Sequence, residues 1–147
     1  MSCRSCGVMG IGGGPAGLAA AVTAAENGAS VILVDESPHP GGQIWRAELG
    51  ETPRPALSWV RRVHEAGVEI LPSTSVWDAE SNGRWSTSSG PIRAGRTILA
   101  CGSRELLLPF PGWTKAGVFG AGGIQALVHS GLEVRGRRIV LAGTGPL

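Results

Sequence analysis

The sequence has few cysteines, no long run of like charge, and no extended apolar stretch free of glycine. Three cysteines in 147 residues are too few for a disulfide scaffold. Charged residues make up 16% of the chain and leave a net charge of +2. The basic residues are scattered, which excludes a nucleic-acid stripe or a polybasic membrane patch. Ser5 to Ala25 carries no charge, but Gly7, Gly10, Gly12, Gly13, Gly14 and Pro15 interrupt it. Glycine and proline break a spanning helix, and a secretory segment keeps about 7–15 uninterrupted apolar residues. A soluble, cytoplasmic chain with no membrane insertion is the expectation.

Glycine is what the chain has in excess. The 24 Gly and 10 Pro make up about 23% of it, roughly twice the usual share. No G-X-Y period is present, so collagen is excluded. Much of the chain must instead form tight turns or backbone that approaches a ligand. With 42% apolar residues it can still bury a core of one-domain size.

Val8 to Ile11 is a short apolar run and a modest strand signal. It leads into Gly12-Gly13-Gly14-Pro15-Ala16-Gly17 and then a run rich in alanine and leucine up to Asn27-Gly28. Alanine and leucine favour helix, Pro15 suits a first helical position, and Gly28 suits a C-terminal stop. Val31 to Val34 is β-branched and continuous, as in a strand buried on both faces. The pattern is β-α-β in about 30 residues.

Beyond it, Ser37 to Arg46 reads as a loop, and Pro55 to Ala66 as a helix with an apolar stripe ended by Gly67. Val68 to Leu71 is the next strand. Val76 to Ser88 alternates around Asn82-Gly83, a hairpin signal. Thr97 to Ala100 reads as another buried strand and Gly123 to Ser130 as a helix. A strand at Arg138 to Ala142 runs into Gly143-Thr144-Gly145-Pro146-Leu147. A strand followed by G-x-G-P opens a second βαβ unit, so the chain reads as the N-terminal part of something longer.

The first glycine cluster matches G-x-G-x-x-G at Gly12, Gly14 and Gly17. Gly12 permits the strand-to-helix turn, Gly14 keeps side chains away from a pyrophosphate, and Gly17 lets the helix approach its strand. Phosphates would meet free N–H groups at the helix N-terminus, where the macrodipole favours negative charge. Asp35 lies 18 residues after Gly17, placed to accept hydrogen bonds from a ribose. It also disfavours a 2′-phosphate, leaving NAD and FAD as the alternatives.

The motifs GGGPAGLAAA at 12–21, VILVDE at 31–36 and PGGQIWR at 40–46 carry a wider resemblance. So do RTILACGSRELLLPFPGW at 96–113, GVFGAGGIQALVHSG at 117–131 and IVLAGTGPL at 139–147. In this order they resemble the FAD-dependent pyridine nucleotide-disulfide oxidoreductase superfamily. Within it they are most similar to the flavoprotein α or A subunits of opine oxidase, hydrogen cyanide synthase and amino-acid dehydrogenases. The resemblance covers nearly the whole chain beyond residue 7.

That resemblance implies an α/β fold. A Rossmann-like FAD-binding parallel sheet would have helices on both faces and a β-hairpin excursion at about Val76 to Ser88. Residues 1–131 would form the FAD-binding domain. Residues 132–147 would be the first strand and glycine turn of a second, incomplete NAD(P)-binding-like domain. Gly12, Gly14, Pro15, Ala16 and Gly17 would hold the pyrophosphate, and Asp35 the adenosine ribose with Glu36 nearby. Gly42, Gln43 and Ile44 would run toward the isoalloxazine, and Val76 would meet the adenine through its backbone. Ala100, Cys101 and Gly102 match a motif that usually ends Ala-Thr-Gly, so Cys101 stands where a threonine hydroxyl is usual. Gly143 and Gly145 would open a possible NAD(P) site. The implied activity is oxidation of a C–N bond in an amino-acid-like or opine-like substrate by hydride transfer to FAD, and the implied partners are other subunits of a heteromeric enzyme. An NAD(P)H-dependent flavoprotein reductase like thioredoxin reductase, or a non-catalytic dinucleotide-binding fragment, are the alternatives.

No catalytic residue and no metal site are recognisable. Cys3 and Cys6 form a single C-x-x-C with no histidine at ligand spacing. Cys101 reads as a small buried residue rather than a nucleophile. His39, His64 and His129 are scattered among a loop and two helix candidates. Gln43 and Trp45 are the residues expected nearest the flavin; the other tryptophans read as packing.

Overall fold

A computed structural model describes residues 3–46 and 54–143. The chain divides into two units, one of residues 3–46 with 54–102 and one of residues 103–143.

The first unit holds β1 (Arg4–Ile11), α1 (Pro15–Glu26), β2 (Val31–Val34), α2 (Arg54–Glu65), β3 (Glu69–Leu71), β4 (Val76–Ala79), β5 (Arg84–Thr87) and β6 (Ile92–Leu99). They form one six-stranded sheet in the order β3-β2-β1-β6-β5-β4. The four strands β3, β2, β1 and β6 pair in parallel, and the hairpin β4–β5 adds itself antiparallel along β6. The expected parallel Rossmann-like sheet is therefore present, and the hairpin joins it to make a mixed sheet. Gly83 turns that hairpin at φ +77°, beside Asn82 as its dipeptide suggests.

Strand alternation explains where the core lies. Val31 and Leu33 of β2 pack with Leu18, Ala21 and Val22 of α1 and Val63 of α2. Ile32 and Val34, facing the other way, join Met9, Ile92 and Ala94, with half-buried Val76 and Trp85 against them. Both helices of this unit thus share one core. The second core is lined by strand residues instead, because the hairpin brings Val76 and Trp85 against it. Leu18, Val22, Leu33 and Val63 are wholly buried, and each such side chain stabilises by about 1.5–3 kcal/mol.

Pro15 opens α1 at its first position, and Asn27 with Gly28 (φ +85°) closes it. Arg62 of α2 clasps Glu26 of α1 through both carboxylate oxygens at 2.9 Å. At the end of β6, Leu99 is 69% exposed, although its apolar run reads as a buried strand.

The second unit contains α3 (Ala121–His129). Its first turn is capped from a distance: Gly122 and Gly123 N–H donate to Glu105 Oε2 at 3.1 and 3.3 Å. Two free helix donors are thereby satisfied by a carboxylate at the favourable end of the dipole. No described residue of this unit is buried. Arg138 to Ala142, the expected strand, pairs with no strand among the described residues, and Ile139, Val140 and Leu141 are exposed. A continuous apolar run needs neighbours to become a strand covered on both faces.

Candidate dinucleotide-binding site

The turn between β1 and α1 is built by close backbone approach. Gly12 takes φ +105°, and a Cβ there would overlap the Ala100 carbonyl oxygen. A Cβ at Gly17 would overlap the Gly12 carbonyl, and one at Gly13 would stand 2.8 Å from Asp35 Oδ2. These three glycines are required by the protein's own packing.

Gly14 is different. It has φ −72°, and the nearest atom to an added Cβ is Gly42 Cα at 3.9 Å. Neither conformation nor internal contact demands glycine at this position. It is the N-cap of α1, with no side-chain cap and no acid in the first turn. Free N–H groups at an uncapped helix start, beside a residue that leaves room, form a cradle for an anion. Pro15 occupies the first helical position without an N–H to offer, and Ala16 is exposed.

Asp35 stands at the carboxyl end of β2, 8% exposed. Gly13 N–H donates to its Oδ2, and Ser37 N–H donates to its Oδ1 at 2.7 Å. The carboxylate thus ties the glycine loop to the segment after β2, and keeps lone pairs over for a further donor. Glu36 beside it is exposed.

The loop after β2 returns to the same place. Gly41 N–H donates to the Gly13 carbonyl at 2.8 Å, and Gly42 sits against Gly14 with φ +59°. Gln43 Oε1 accepts from the Arg46 guanidinium at 2.8 Å, and Ile44 is 77% exposed. Trp45 packs on the α1–α2 core. Ala100 N–H donates to the Ile11 carbonyl at 2.8 Å. Cys101 is exposed rather than buried, and its Sγ points a donor at the Ile11 carbonyl, 3.6 Å away. Gly102 has φ +69° and open space around it. Val76 pairs with Thr87 at the start of β4. Its segment reaches the acid through Thr74 N–H, which donates to the Asp35 carbonyl at 2.7 Å.

The structure therefore gathers Gly12 to Gly17, Asp35, Gly42 and Ala100 at the carboxyl ends of β1, β2 and β6. This is where open α/β sheets bind ligands. Gly143 belongs to the other unit, and Gly145 lies outside the described residues. Sequence reasoning missed the contacts of Ser37, Thr74 and Arg46; a density of Ser and Thr at 73–75 and 86–89 was the available signal.

Cys3 is exposed and Cys6 half-buried, and both are free thiols. Burial pushes the Cys6 thiol up in pKa. No group of three or more potential metal ligands occurs among the described residues, and no described helix is long and apolar enough to cross a membrane.

Known proteins agree with this geometry. Residues 8–52 match the family described as FAD dependent oxidoreductase. The opine oxidase A-chain of Rhizobium meliloti, one component of that enzyme, is 40% identical over 93% of this chain and 33% of its own length. Hydrogen cyanide synthase subunit HcnB of Pseudomonas protegens is 33% identical over the same shares. The chain is thus similar to FAD-dependent oxidoreductases. It spans about a third of the length of these curated relatives. Among solved structures, the thioredoxin reductase of Streptococcus pyogenes superposes with a TM-score of 0.61 at 25% identity. That match covers 73% of this chain and 38% of the other.

Proposed function

We propose that the first unit binds FAD, with the pyrophosphate at Gly12 to Gly17 and the adenosine at Asp35, Glu36 and Val76. Gly42, Gln43 and Ile44 lead toward the isoalloxazine, with Ala100, Cys101 and Gly102 beside it. The observation that carries this reading is Gly14, a glycine that the protein's own packing does not need, at an uncapped helix start. In this reading Gly14 makes room, the first N–H groups of α1 donate to phosphate oxygens, and Asp35 accepts from the ribose. FAD, when bound, supplies the acceptor for two electrons in oxidation of a C–N bond of an amino-acid-like or opine-like substrate.

The enzyme is a flavin-dependent oxidoreductase that works with further polypeptide. Residues 132–147 begin a second nucleotide-binding-like domain, where Gly143 and Gly145 would start an NAD(P) site. Support comes from the names of the relatives, which are components of larger enzymes, and from their greater length.

The test is Gly14→Val against wild type. The substitution should keep the far-ultraviolet circular dichroism, lower the melting temperature by only a few degrees as a poorer N-cap costing about 1 kcal/mol, and abolish flavin retention. Equal retention by both would remove the support that Gly14 gives. Anaerobic bleaching of the bound flavin by opines, proline or sarcosine, and not by NADPH, supports the amine substrate; the reverse favours a reductase.

A further inference from the structure

Hydroxyl side chains cluster twice in the sequence, as Ser73-Thr74-Ser75 and Ser86-Thr87-Ser88-Ser89, and the fold brings the two clusters together. Thr74 is 2% exposed, so its hydroxyl needs partners inside the protein. It donates to the Pro72 carbonyl at 3.0 Å and lies 2.7 Å from Ser89 Oγ. With its one proton spent on Pro72, Thr74 receives the Ser89 hydroxyl as donor. Ser75 and Ser88 lock beside it: Ser75 N–H donates to Ser88 Oγ and Ser88 N–H to the Ser75 carbonyl, both at 3.0 Å. Thr87 Oγ1 fastens the same turn to the Gly90 carbonyl at 2.6 Å.

The other side of Thr74 faces the acid. Its N–H donates to the Asp35 carbonyl at 2.7 Å, and Ser73 N–H to the Ser37 carbonyl at 3.1 Å. One connected path therefore runs from the turn at Ser89, through Thr74, to the backbone of Asp35 and on to Gly13. We propose that Thr74 is a positioning residue for the adenosine half of the cofactor, transmitting the rigidity of the Ser88–Gly90 turn to the Asp35 carboxylate. The proposal rests on reading this site as a dinucleotide cradle.

Thr74→Val keeps the branched shape and removes only the hydroxyl; Thr74→Ser restores it. Titration of the chain with FAD and with ADP should show Thr74→Val binding both about tenfold more weakly and Thr74→Ser binding both nearly as wild type. Without nucleotide, amide exchange should speed up at Gly13 and Ser37 in Thr74→Val while Val31 to Val34 stay protected. A general loss of stability would instead accelerate all of these amides together. Unchanged binding, or uniform exchange, overturns the positioning role while leaving the cradle intact. Failure of the wild-type chain to bind either nucleotide overturns both.

Discussion

Removing the Asp35 carboxylate should weaken the fold before any cofactor is considered. Its two oxygens accept from the N–H groups of Gly13 and Ser37, and the residue is 8% exposed. Gly13 is buried and Ser37 half-buried, so water can replace the acceptor readily only at Ser37. A hydrogen bond to a charged group contributes about 1.5–3 kcal/mol, and an unsatisfied buried donor costs about 1–3 kcal/mol. Since these describe overlapping effects, Asp35→Ala should cost about 2–4 kcal/mol in all. For a unit of this size that lowers the melting temperature by roughly 10 °C or more. Asp35→Asn should fall between, because one oxygen remains and an amide donor now faces a donor. The assay is urea or thermal denaturation without nucleotide, with exposed Glu36→Ala as the control. If Asp35→Ala melts within about a degree of the control, the carboxylate does not hold the loop.

Other expectations follow from contacts of different kinds. Gly17→Ala should destabilise severely or prevent folding, because its Cβ overlaps the Gly12 carbonyl; a melt within a few degrees of wild type would contradict this. Leu18→Ala, at a wholly buried site, should cost about 2–5 kcal/mol by chemical denaturation. Arg62→Ala, losing an exposed pair with Glu26, should cost less than about 1 kcal/mol. Cys6 has its pKa raised by burial, so the thiol persists to higher pH than in a free peptide. Its alkylation rate, followed by peptide mass spectrometry, should rise with pH later than that of a free thiol, and coincident curves would refute the shift.

Where the signal was local, the sequence was enough. Pro15 and Gly28 bracket α1, Val31 to Val34 form β2, and Asn82-Gly83 turns the hairpin. The glycine cluster and the acid were also readable as a pair, since the β-α-β spacing brings them together. What escaped was set by partners distant along the chain. β1 extends back to Arg4, through exposed residues, because Ile92 to Ala94 offer it a ladder. Thr74 meets Ser89 only after the hairpin has folded back. Both helices of the first unit share one core because the antiparallel hairpin supplies the other, and periodicity along one segment carries no such information. The exposure of Cys101 was missed for the same reason: apolar neighbours in sequence do not show what covers the end of β6.

The central pairing of β1 with β6, from Arg4 against Ile92 to Ile11 against Leu99, also bears on how the protein is made. The first strand of the sheet leaves the ribosome long before its neighbour exists. At about 5–20 residues per second, the intervening stretch takes roughly 4–18 s to synthesise. During that interval the nascent chain can complete α1 and α2 and pair β1 with β2, all from segments already present. One edge of β1 must wait, with Val8 and Met9 on it, until the hairpin has emerged and turned the chain back. Closing so large a loop is slow compared with forming helices or the hairpin itself. The waiting edge is a place for a chaperone to act, and a ribosome stalled before residue 92 would present it to whatever other unpaired strand is near.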